Sequence, residues 1–182
     1  MKQMTPKYLL LLIIFAISTG CSETSNSSVK PEKLVLNKLV QNKTTPLVSA
    51  KWLKEHINDT NLILLDASIL VKMDKTGYKS ISGKGEYAKA HIPNARFADL
   101  KKGLSNQSSE KDFIMPSPIQ FQKAMRKLGV NKTSHVVIYA SENQTWSTRV
   151  WWMLRWAGFD RASILNGGQN AWIESEYLST QS

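Results

Sequence analysis

Only one cysteine, Cys21, occurs in the 182 residues, so no disulfide can close within the chain. The fold must rest on an apolar core, which roughly 140 residues are enough to build. Long apolar runs are also missing. The run at residues 9–17 is nine residues long, against the ~20 that a membrane-spanning helix needs. Acidic residues are scarce, 14 Asp and Glu against 24 Lys and Arg, for a formal charge of +10. The basic excess is scattered, densest at Lys101-Lys102 and Arg126-Lys127. No stripe of interleaved basic and aromatic residues accompanies it, so no nucleic-acid partner is expected. Solubility and attraction to anionic lipid account for the excess. His56, His91 and His135 are spread out with no ligand spacing, which predicts no metal site, and nothing implies a cofactor. No internal repeat is visible.

At the N-terminus, Lys2 and Lys7 precede the short apolar run, and Ser18, Thr19 and Gly20 follow it. That is the layout of a cleaved export signal over residues 1–20. Its removal takes two lysines and no acid, lowering +10 to +8. Ser18-Thr19-Gly20-Cys21 resembles the lipobox of bacterial lipoproteins, with Ser18 where that family usually has Leu and Ile17 displaced by one. The resemblance implies acylation of Cys21, membrane lipid as its partner, and no free thiol in the mature chain. The expected location is the bacterial cell envelope, lipid-anchored on the periplasmic side. Ser22 resembles the outer-membrane sorting class. Residues 21–46, rich in Ser, Asn and Lys, read as a tether. About 25 flexible residues have an r.m.s. span of roughly 25–30 Å, enough to hold a globule clear of the headgroups. A short amphipathic helix through Leu34, Val35, Leu39 and Val40 is the alternative reading of that stretch.

Residues 47–182 read as one domain. Ser49 caps a predicted helix through Trp52, Leu53 and His56, and Leu62-Ile63-Leu64-Leu65 is an apolar strand ending at Asp66. Residues 72–85 read as a Lys- and Gly-rich loop, residues 86–91 as a short helix and residues 96–98 as extended chain. Ser117-Pro118 opens a helix through Phe121, Met125 and Leu128 that stops near Gly129. Strands at residues 136–139 and 163–165 alternate with helices at 147–157, stopped by Gly158, and at 169–174. Strands that are apolar throughout and alternate with helices predict an α/β fold, a parallel sheet flanked by helices on both faces.

Several segments then appear in one family's order. Leu64-Leu65-Asp66-Ala67-Ser68 resembles a strand end of the mercaptopyruvate and thiosulfate sulfurtransferases. Residues 86–95, Glu-Tyr-Ala-Lys-Ala-His-Ile-Pro-Asn-Ala, resemble the tyrosine-to-GHIPGA signature of rhodaneses, with Ala90 for the usual Gly. Met115-Pro116-Ser117-Pro118, Phe121 and Leu128-Gly129-Val130 resemble the connecting segment of two-domain sulfurtransferases. Residues 150–155, Asn166-Gly167-Gly168 and Trp172 resemble the end of their first domain. The resemblance covers residues 47 to about 175 and implies a rhodanese-like domain.

In active rhodanese domains a catalytic cysteine opens the loop after the strand equivalent to residues 136–139. Here the loop reads Ala140, Ser141, Glu142, Asn143, Gln144, Thr145, Trp146. The resemblance makes it a degenerate active-site loop with no catalytic residue, as in the first domain of the two-domain enzymes. Ser141 and Thr145 lack the adjacent base a nucleophile needs and are expected to be loop and cap residues. Asp66 is expected to hydrogen-bond nearby backbone. Trp151, Trp152 and Trp156 cannot all face one way, which leaves one exposed. The favoured function is a membrane-anchored binding or scaffolding module without sulfur transfer, with a second rhodanese-like chain or another copy of itself as partner. The alternatives are a sulfurtransferase subunit completed by a separate cysteine-bearing domain, or a remnant of a tandem enzyme.

Overall fold

The structure is a computed structural model that describes residues 44–181. The export signal, Cys21 and the tether up to residue 43 lie outside the described residues. The elements in chain order are β1 (Leu47–Val48), α1 (Ala50–His56), β2 (Leu62–Asp66), β3 (Ile69–Asp74), β4 (Gly77–Ser82) and α2 (Lys84–Lys89). Then come β5 (Arg96–Phe97), α3 (Pro118–Lys127), β6 (His135–Tyr139), α4 (Thr145–Trp156), β7 (Ala162–Leu165) and α5 (Gly168–Glu174). Five strands form one parallel sheet in the order β1-β7-β6-β2-β5.

Strand alternation splits the core into two layers. Ile63, Leu65, Val136 and Ile138 pack on one side with Phe121 and Met125 of α3 and Val150, Met153 and Leu154 of α4. Leu64, Val137, Tyr139 and Leu165 pack on the other with Leu53 of α1 and Trp172 of α5. Each such side chain contributes roughly 1.5–3 kcal/mol by leaving water. The helices capped by Ser49 and Ser117 begin where the sequence predicts, while those expected at 86–91 and 147–157 each begin two residues earlier, at Lys84 and Thr145, and the one expected at 169–174 begins one residue earlier, at Gly168. Ser49 Oγ accepts the Trp52 N–H at 3.1 Å, and Ser117 Oγ accepts the Gln120 N–H at 3.2 Å with Pro118 at the first turn.

Two expectations are corrected and one strand was not foreseen. Residues 72–85 are no open loop. Most of them belong to an antiparallel hairpin, β3 with β4, turned by Asp74-Lys75-Thr76-Gly77. Asp74 Oδ1 accepts the Thr76 N–H at 2.7 Å, and Gly77 takes a φ of +118° that favours glycine. Lys72, Lys75 and Lys79 beside Gly77 give the segment the composition of a loop, and that hid its period of two. The strand not foreseen is β1, too short to show a period and defined only by its parallel pairing with β7. The second correction concerns the tryptophans. Trp151 is half-buried, its Nε1–H donating to the Ala162 carbonyl at 3.0 Å, while Trp152 and Trp156 are 49% and 48% exposed. Two are therefore exposed rather than one.

Candidate functional site

Asp66 and Tyr139 pair in register, so β2 and β6 end side by side. In open parallel sheets ligands bind beyond such carboxyl ends. Segments following β2, β6 and β7 converge there. Asp66 is 1% exposed, and its Oδ1 accepts the Ser68 N–H at 2.8 Å. Ser68, also buried, uses Oγ to accept the Ser141 N–H at 2.9 Å. Asp66 thus holds loop backbone, as expected, and through Ser68 it fixes the start of the loop after β6. Burial pushes the Asp66 carboxyl above the usual carboxylate range, outweighing the hydrogen bonds from Ser68 that act the other way. Burial, with the Asp66 carboxylate beside it, also pushes the Tyr139 hydroxyl up, so it stays neutral and accepts the Ile92 N–H at 3.2 Å.

The loop is closed on itself. The Ala140 carbonyl accepts Gln144 Nε2–H at 3.1 Å and the Gln169 N–H at 3.2 Å. Ser147 Oγ–H donates to Gln144 Oε1 at 3.0 Å, holding the amide folded across the loop. Gly168 lies against this turn at φ +58°, and a Cβ there would sit 1.8 Å from Gln144 Nε2 and 2.5 Å from the Ala140 oxygen. Asn143 Oδ1 accepts the Thr145 N–H at 2.9 Å, and the Asn143 carbonyl accepts the Trp146 N–H at 3.2 Å. Ser141 is a loop residue whose Oγ is buried without a hydrogen-bond partner, and Thr145 is the first residue of α4. Glu142 and Asn143 face solvent. Trp146 leaves the loop to pack on Phe113, ring centroids 4.7 Å apart, where the half-buried Arg149 donates to the Phe113 carbonyl. Burial lowers the pKa of that guanidinium.

Each histidine is engaged elsewhere. His56 Nδ1–H donates to the Trp52 carbonyl and His91 Nδ1–H to the Tyr87 carbonyl, both at 2.8 Å, and His135 Nε2 lies 2.9 Å from Ser163 Oγ. Among the described residues no three His, Cys, Asp or Glu side chains gather as a metal site would require. Beside the loop lies a cleft of about 440 Å³ with Val71, Lys72, Lys89, Ser141, Glu142 and Gln169 in its lining. Its hairpin wall was not foreseen from the sequence, and neither were the roles of Ser68 and Gly168. The adjacent glycines after β7 were the available signal for the close approach at Gly168.

Residues 49–175 match the rhodanese-like domain family. The chain belongs to that family. It is 38% identical over 135 residues to the 3-mercaptopyruvate sulfurtransferase of Escherichia coli (strain K12), covering 74% of this chain and 46% of the relative. It is 34% identical over 140 residues to the thiosulfate sulfurtransferase of Gallus gallus, covering 74% and 46%. The crystal structure of the Escherichia coli 3-mercaptopyruvate sulfotransferase superposes with a TM-score of 0.67 at 36% identity, over 76% of this chain and 51% of that one. The chain spans about half the length of these relatives. The rhodanese fold, with a parallel sheet between helical layers, is the expected architecture. Within it, the loop after β6 contains no thiol, and the amides of Ser141, Thr145 and Trp146 are spent on protein acceptors.

Proposed function

We propose that this rhodanese-like domain transfers no sulfur by itself and serves as a lipid-anchored binding or scaffolding module of the bacterial envelope. One observation carries the reading, the loop Ala140–Trp146. It offers no thiol to become a persulfide, and three of its amides, of the kind that would favour a thiolate, are already engaged. The sequence around Cys21 supports the anchor, and the exposed Trp152 and Trp156 supply apolar surface for a partner. A sulfurtransferase subunit completed by a separate cysteine-bearing chain is the second reading, favoured by the half-length match to the enzymes.

The purified Cys21→Ala chain is expected to transfer no sulfur from thiosulfate or 3-mercaptopyruvate to cyanide. Turnover above the uncatalysed rate overturns the proposal. Turnover that appears only when a cysteine-bearing rhodanese-like chain is added, and exceeds what that chain achieves alone, favours the subunit reading.

A further inference from the structure

The β3–β4 hairpin is a two-stranded sheet separate from the parallel one. Only Ile69, at its base, is fully buried. Two-stranded ribbons are marginal alone in water, and this one carries features that worsen its solvation. Met73 and Tyr78 are directly paired on one face, 72% and 79% exposed, with Val71 at 46% on the same side. On the other face Lys72 sits directly opposite Lys79, a like-charge pair that repels across the strands. Lys75 adds a third positive charge at the turn. None of the three is in an ion pair among the described residues. Asp74 is the only acid in residues 69–84, against four lysines, and its Oδ1 is occupied by the Thr76 N–H and hydroxyl.

We propose that this hairpin docks on an anionic lipid surface, with Met73 and Tyr78 entering the headgroup–acyl boundary and Lys72, Lys75 and Lys79 reaching phosphates. A protein groove covers one face of a ribbon and leaves the other in water. A bilayer interface grades from anionic headgroup to hydrocarbon over a few ångströms and receives both faces at once. Lipid phosphates also remove the Lys72–Lys79 repulsion that the isolated domain carries. The inference does not require Cys21 to be acylated. An acyl anchor would bring the hairpin to the surface it binds, and the hairpin contact would then set how the domain lies on that surface.

The test uses the full Cys21→Ala chain with Met73→Cys, labelled with a polarity-sensitive fluorophore. Vesicles are phosphatidylcholine alone, or phosphatidylcholine mixed with phosphatidylglycerol. The expected result is a blue shift with the anionic vesicles only, lost at high salt. A label at Ile119→Cys on α3 reports attachment through any other face and is expected to stay unshifted. Lys72→Glu with Lys79→Glu should weaken partitioning by at least about tenfold. Lys72→Gln with Lys79→Gln should also weaken binding while leaving thermal stability equal or higher, since it relieves the like-charge pair, an outcome a purely structural role does not produce. No shift at residue 73, an equal shift on neutral vesicles, binding unchanged by both double substitutions, or sedimentation with vesicles while the label at residue 73 stays in water overturns the proposal.

Discussion

Asp66 is a carboxylate withheld from solvent in order to hold a turn. Its charge costs free energy to bury, while its oxygen satisfies the Ser68 N–H, and these two effects separate on substitution. Asp66→Asn keeps an acceptor and removes the charge, so it is expected to match or exceed the parent in thermal stability at neutral pH. Asp66→Ala leaves the amide unpaired and should lose about 1–3 kcal/mol. Because the folded carboxyl lies above its unfolded value of 3.8, the parent gains stability as pH falls toward that value, and the Asn variant lacks the gain. Thermal melts across the acidic range check both points. At this scale the sequence was legible where a residue's role is local. Ser49, Ser117 and Asp66 act within a few positions of themselves. Ser68 was opaque, because its partner Ser141 is 73 residues away.

The elements that came out of the sequence are those with an apolar pattern long enough to read. The β2 and β6 strands and the α3 and α4 helices qualify. β1 has two residues and no period, and the hairpin's alternation was masked by lysines that elsewhere mark loops. β6 also carries a titration. Burial, then Arg161 and His56, lowers the pKa of His135, which sits beside Trp52 and Ser163. The folded state therefore favours the neutral ring. The stability this provides is complete above the unfolded value of about 6.5 and is lost as pH falls through the depressed folded value. The parent is expected to lose more melting temperature than His135→Gln between about pH 7.5 and about pH 5. An equal loss in both places the acid sensitivity elsewhere.

At the scale of the whole molecule the proposed anchor has a direct test. Under the proposed reading, a palmitate analogue supplied to cells labels the parent chain, and Cys21→Ala abolishes the label and releases or stalls the protein. Two or more acyl chains give stable attachment where one does not. Equal labelling of both forms removes the anchor from the proposal. The fold was legible at this scale because motifs spread from residue 49 to residue 175 keep one family's order. The cleft was not, since its walls come from the hairpin, from the loop after β6 and from α5, brought together only by the topology.

If the proposed anchor holds, the domain bears load, and the described residues receive it at the β1 edge. Among the described residues, the Thr44 hydroxyl donates to the Asp160 carbonyl, the Ser163 hydroxyl to the Thr45 carbonyl, the Ile164 N–H to the Pro46 carbonyl and the Asn166 N–H to the Val48 carbonyl. These few contacts tie a two-residue edge strand to β7. Under the proposed reading, traction from the anchor reaches this edge before β6 or β2, and the loop after β6 and the cleft beside it lie beyond the first pairing to be loaded.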